Sequence, residues 1–106
     1  MAMKPNFKRK KKRSVHGATF WDKEYTNPEH LKLSTAESED LAKFTRWVQR
    51  RKRDDILTPP ASVLDVGCGN GRNLIYLARE FGVSGVGVDI SSAAIAQAKR
   101  ASETLS

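Results

Sequence analysis

Apolar residues recur along this chain in two different rhythms. Leu74, Leu77, Ala78 and Phe81 stand at i, i+3, i+4 and i+7, the spacing that gathers side chains on one helical face. Gly82 follows where such a helix needs a left-handed cap. Residues 61–66 and 83–90, on either side, are short β-rich runs bounded by Pro and Gly, suited to buried parallel strands. Ser91 or Ser92 is placed to cap a last helix that turns Ala94, Ile95 and Ala98 inward. The predicted order is β-α-β-α, an α/β class with the chain ending where a third strand is due. Two parallel strands are marginal as a sheet. The chain therefore reads as the front part of a larger, Rossmann-like domain, truncated after β-α-β-α, with its first strand at an edge although that strand's sequence asks for burial on both sides.

Upstream, residues 35–53 form the longest helical pattern. Ser34 and Glu37 have the spacing of a capping box, and Leu41, Phe44, Trp47 and Val48 make one core-facing stripe. Glu39 and Lys43 pair at i,i+4 on the other side, and Arg50–Arg53 complement the C-terminal dipole. Residues 19–25 hold the first real apolar mass, with Trp21 and Tyr25 four apart on one face of a helical turn. Residues 1–16 are too polar to offset their ordering entropy and are expected to be a disordered basic arm, leaving 17–106 as the folded part. Removing the arm is expected to leave any site on residues 65–89 intact.

Charge sharpens that division. The chain carries 19 Lys+Arg against 12 Asp+Glu, a formal net charge of +7. Seven of the positive charges precede the first acidic residue, Asp22, so residues 14–106 balance 12 basic against 12 acidic. A clustered basic run suits non-specific contact of residues 4–13 with RNA phosphates, although no aromatic residue interleaves Lys8 to Arg13 for base stacking. No stretch has the roughly 18 apolar residues of a membrane span, and no apolar run follows the basic start as in a secretory signal. The single cysteine, Cys68, excludes an internal disulfide and suits a reducing cytoplasm. With two isolated histidines it leaves too few ligands for a structural zinc site, so no metal is expected.

The chemistry-bearing segment is Gly67-Cys68-Gly69-Asn70-Gly71, between the predicted first strand and its helix. Glycines let the main chain turn sharply and lie against a ligand, and the following helix start presents free N–H groups. Asp89 ends the next strand 22 residues after Gly67, about the spacing at which a carboxylate accepts hydrogen bonds from ribose hydroxyls. The loop departs from the dinucleotide fingerprint G-x-G-x-x-G, with Arg72 at the sixth position. Asp65, two residues before the first glycine, would repel a pyrophosphate and attract an ammonium group.

Residues 63–71 (VLDVGCGNG) resemble the first motif of class I S-adenosylmethionine-dependent methyltransferases, and residues 85–91 (GVGVDIS) resemble the second. The resemblance covers roughly residues 19–103 and implies S-adenosylmethionine as cofactor. It implies that Gly67, Cys68 and Gly69 line that cofactor, that Asp65 sits by its methionine moiety, that Asp89 binds the ribose hydroxyls and that Ile90 packs on the adenine. Trp21-Asp22-Lys23-Glu24-Tyr25 is similar to an N-terminal W-D-x-x-Y segment that helps close the pocket in several such enzymes. The family's substrate side follows later strands, so the methyl acceptor and the catalytic residues are left unassigned, and the 106-residue chain alone is expected to be inactive. The rival readings are a dinucleotide-binding oxidoreductase using NAD and a non-enzymatic RNA-binding protein led by the arm.

Overall fold

Backbone pairing joins three parallel strands, and the first comes from the basic arm. The computed structural model describes residues 4–9, 15–28 and 33–105. Its elements are β1 (Asn6–Arg9), α1 (Val15–Thr26), α2 (Glu39–Arg50), β2 (Ser62–Val66), α3 (Arg72–Phe81), β3 (Ser84–Asp89) and α4 (Ser92–Ser102). The strand order is β1-β3-β2, so the expected β-α-β-α series is present and carries an extra strand on its far edge.

Helices α3 and α4 pack on the same face of this sheet. Leu74, Ile75 and Ala78 of α3 and Ile95 and Ala98 of α4 form the core with Phe7, Cys68 and Leu105, and Val63 packs against it. Strand side chains alternate between faces, so the partners of Val63 on β2 point the other way: Leu64 and Val66 are 66% and 63% exposed. The expected edge position of β2 holds, and the expected burial on both sides holds on one only. Gly82 closes α3 in the left-handed conformation, and Ser91, rather than Ser92, is the N-cap of α4.

The disordered reading of residues 1–16 is corrected at both of its described parts. Residues 6–9 pair in parallel with residues 86–89, Asn6 opposite Val86 and Arg9 opposite Asp89. In doubly wound sheets the second strand lies between the first and the third, and β1 takes that third position. Phe7 anchors it. Its ring is 4% exposed and fills a notch where a Cβ on Gly71 would lie 2.6 Å from it, and one on Gly87 2.8 Å. Mean composition hides this, because one buried ring and a run of ladder bonds act at single positions. Removing the arm would therefore take away a ring that packs against the glycine loop at Gly71. Helix α1 begins at Val15, inside the expected arm; residues 10–14 lie outside the described residues.

The second helix is also shifted. It starts at Glu39 with Ser38 as N-cap, its Oγ accepting from the Leu41 N–H, while Ser34 Oγ accepts from the Ala36 N–H in a turn of its own. A tertiary bond sets that start: the Ser38 N–H donates to Asn73 Oδ1 on α3 (2.9 Å). The buried stripe is Thr45 and Val48, because the Thr45 hydroxyl meets the Tyr76 hydroxyl at 2.8 Å and turns that face inward. Phe44 and Trp47, expected in the core, stack on each other at 6.1 Å and remain 43% and 36% exposed.

Helix α1 is tied to the start of α4 through Asp22. Its Oδ1 accepts from Ser91 Oγ (2.6 Å) and the Ala93 N–H (3.0 Å), so a residue 69 positions upstream of Ser91 caps α4. Burial pushes this carboxyl up, but the bonds from Ser91 and Ala93 and the charge of Arg9 together bring it below the usual 3.8.

Two stability predictions follow from these anchors. Phe7→Ala should lower the unfolding free energy by about 3 kcal/mol in a urea titration, while Lys8→Ala on the exposed side of the same strand changes it by less than about 0.5 kcal/mol. Asp22→Ala should cost about 1 kcal/mol, as for a lost helix cap. Because the Asp22 carboxyl is depressed in the folded state, its contribution is complete above the unfolded value. It should fade as pH falls below 3.8, where titrations of the two proteins converge.

Candidate functional site

Parallel strands bring their carboxyl ends to one edge of the sheet, where the loops after β2 and β3 meet. Asp89 holds them together. Its Oδ2 accepts from the Gly69 N–H (2.8 Å) and its Oδ1 from the Ser91 N–H (2.9 Å). The Gly67 and Cys68 N–H groups both donate to the Val88 carbonyl, at 2.8 and 3.0 Å, which presses the loop onto β3. Gly69 has φ +57°, and a Cβ there would collide with the Tyr25 hydroxyl, so glycine is required by backbone and neighbour alike. Helix α3 starts directly after Gly71 with no side-chain cap, leaving its N-terminal dipole facing the loop.

Above the loop lies a cavity of about 290 Å³ lined by Trp21, Tyr25, Val66, Gly67, Val88, Asp89 and Ile90. Helix α1 forms its roof. The Trp21 and Tyr25 rings sit 6.1 Å apart, and Gln97 of α4 donates its side-chain amide to the Tyr25 carbonyl. Burial, then the nearby Asp89 and Cys68, pushes the Tyr25 hydroxyl above its usual value of 10 and keeps it a neutral donor at neutral pH. Arg9 at the end of β1 donates from Nε to the Ile90 carbonyl (3.3 Å) and fixes the far rim.

Of the residues singled out in the sequence, Gly67, Asp89 and Ile90 line this cavity together. Cys68 and Gly69 are buried in the loop beside it. Asp65 lines not this cavity but a neighbouring hollow, with Leu41, Asn73 and Leu74. Its carboxylate makes no hydrogen bond among the described residues, and burial, then the charge of Asp89, raises it above 3.8. Sequence reasoning missed Val66 and Val88 as the apolar floor, although their alternation with Asp65 and Asp89 carried that signal. It also missed Asp22 as a cap and Arg9 as a rim residue, for which no local signal exists.

Cys68 is a packing residue. It is 7% exposed, and a Cβ on Gly87 would lie 2.8 Å from its sulfur. Burial, with Asp89 and Asp65 nearby, pushes its thiol up to about 12, so almost no thiolate exists at neutral pH. The native chain should accordingly resist a disulfide reagent at pH 8, reacting only as fast as added urea unfolds it; rapid stoichiometric labelling without urea would contradict this.

Three comparisons bear on the site. A family described as Methyltransferase domain matches residues 63–106, the segment holding the loop, Asp89 and α4. An uncharacterized protein of Escherichia coli (strain K12), YjhP, is 45% identical over 49 residues, which are 46% of this chain and 20% of that protein. The crystal structure of an S-adenosylmethionine-dependent methyltransferase from Geobacter sulfurreducens, in complex with S-adenosyl-L-homocysteine, superposes with a TM-score of 0.53 at 31% identity. That match covers 76% of this chain and 29% of the other, so the chain spans under a third of the length of either relative. With a matching family model over the loop and a matching parallel fold around it, the chain is similar in this segment to S-adenosylmethionine-dependent methyltransferases.

Proposed function

We propose that the cavity over Asp89 binds S-adenosylmethionine and that the chain is the cofactor-holding part of a methyltransferase whose acceptor is unassigned. The observation that carries this reading is the Asp89 carboxylate at the cavity wall. Each of its oxygens accepts one backbone N–H, and a carboxylate has about four acceptor positions, so two remain for a pair of ribose hydroxyls. Val66, Val88 and Ile90 supply an apolar floor for a flat base. The cavity volume of about 290 Å³ falls just short of the range of small-molecule pockets, roughly 300–1,000 Å³. Gly67, where a Cβ would meet nothing within 4 Å, lets a ligand lie along the main chain, and Tyr25 supplies a neutral hydroxyl over Gly69.

Asp65 fits the methionine end by charge. A half-buried carboxylate with no hydrogen-bond partner among the described residues favours a cationic ligand group, and burial, then the charge of Asp89, raises it. When bound, S-adenosylmethionine supplies an electrophilic methyl group on a sulfonium. This chain's part in transfer is to fix that donor's position and shield it from water, since in-line displacement gains mostly from proximity and orientation. The methyltransferase matches favour this reading over a dinucleotide-binding oxidoreductase, as does the sixth loop position, Arg72, in place of a fingerprint glycine. We assign to the basic residues 4–13 a non-specific contact with RNA phosphates, and to the protein a reducing, cytoplasmic setting in which the lone Cys68 stays a thiol. Among the described residues, no helix is long and apolar enough to cross a membrane.

Calorimetry with S-adenosylhomocysteine against NAD tests the reading. Binding of the former alone, abolished by Asp89→Ala, supports it; binding of NAD alone overturns it. Asp65→Asn should weaken S-adenosylmethionine binding roughly tenfold, the scale of about 1.4 kcal/mol for one lost charge-assisted contact. The pH dependence has a definite sign. Ionised Asp65 attracts the ligand's ammonium group, so affinity should fall as pH drops through its raised value, beginning above 3.8. In Asp65→Asn this part of the profile should be flat.

A further inference from the structure

The positive charge of the folded body is unevenly placed. Residues 14–106 are neutral in sum, yet a groove of about 400 Å³ between α3 and α4 is lined by Arg72, Arg79 and Arg100 with no carboxylate among its lining residues. The remaining wall is uncharged: Thr35, Asn70, Ile75, Gln97, Ala101 and Thr104. Arg72 and Arg100 make no ion pair among the described residues. Arg79 has one, with the adjacent Glu80 at 3.8 Å, and both side chains are more than half exposed, which makes the pair weak.

The arginines are not arranged as a random solvated face. Arg72 and Arg79 stand seven residues apart on α3, two helical turns or about 10 Å along its axis. They form a row, and Arg100 faces it from α4. The groove's uncharged amides already serve the structure: Asn70 donates from Nδ2 to the Ser34 carbonyl (3.0 Å), and Gln97 donates to the Tyr25 carbonyl. Arg72 is partly committed as well, donating to the Ala36 carbonyl (3.3 Å). These bonds occupy the two amides and part of Arg72 and leave Arg79 and Arg100 as the available donors. Guanidinium groups are planar forks that match phosphate oxygens, and a row of them in a concave wall without a lining carboxylate concentrates positive potential.

We infer that this groove binds a ligand bearing several phosphate groups in series, with Arg79 and Arg100 as its principal contacts. The site lies outside the Asp89 cavity and does not depend on the cofactor reading, since binding is measured without cofactor. Two sources share this chemistry, a single-stranded RNA backbone and a small polyphosphate.

The test uses the full chain and its Arg79→Gln/Arg100→Gln variant, with the basic N-terminal run intact in both. Fluorescence anisotropy with a labelled single-stranded oligoribonucleotide is recorded over a salt series, and calorimetry with tripolyphosphate is run alongside. Each phosphate contact adds about 0.7 to the salt slope on a single strand. For an RNA ligand, the variant should lose affinity and its slope should shrink by about 1.4, with an unchanged unfolding midpoint. Loss of tripolyphosphate binding with an unchanged RNA slope identifies a small polyphosphate as the ligand. RNA affinity, salt slope and tripolyphosphate response all equal in the two proteins would overturn the proposal and leave RNA contact to the N-terminal run alone.

Discussion

The Asp89 carboxylate is the constraint around which this structure is arranged. One oxygen accepts from the loop after β2 and the other from the turn that opens α4. A single side chain therefore sets the relative position of the glycine loop and the last helix. Both bonds are charge-assisted and made to backbone N–H groups, so they resist the side-chain disorder that weakens ordinary surface pairs. The same carboxylate faces the cavity, and its spare acceptor positions are aligned by the bonds that hold the fold. Architecture and recognition share one group.

Other anchors serve the same edge of the sheet from a distance. Asp22 caps α4 and thereby holds α1 above the cavity, which places Trp21 and Tyr25 on its roof. Phe7 seats β1 against Gly71 and Gly87, so the far strand bears on the loop from below. The loop is thus braced from both sides by segments remote from it in sequence. Small residues make this possible: the ring of Phe7 and the hydroxyl of Tyr25 occupy volume that a side chain at Gly71 or Gly69 would claim. What reads as a flexible glycine run is a closely packed one.

The apolar residues left in the open have a common origin. Both α3 and α4 cover one face of the sheet, and α2 turns Thr45 and Val48 inward, so Leu64, Val66, Phe44 and Trp47 stay exposed. Phe44 and Trp47 satisfy each other by stacking, and Arg53 lies over the Trp47 ring at 5.6 Å. The relatives this chain matches are more than twice as long. The arginine groove is on the helix-covered side of the sheet, opposite Leu64 and Val66.

Local pattern alone determined the central elements. The 3.6-residue rhythm of α3, the β-rich runs on either side and the Gly67–Gly71 turn specify strand, loop and helix because each depends on neighbours within a few residues. The pairing of Asp89 with that loop was legible too, since a β-α-β unit brings the ends of successive strands together. Only tertiary structure decided that part of a basic arm becomes a strand, because one phenylalanine's burial depends on glycines more than 60 residues away. Tertiary structure likewise chose which face of α2 is inside, through a Thr45–Tyr76 hydrogen bond that no periodicity encodes, and set Asp65 in a hollow beside the cavity that Asp89 lines. Periodicity reads spacing along one element; packing is a relation between elements, and the residues that settle it need not be near in sequence.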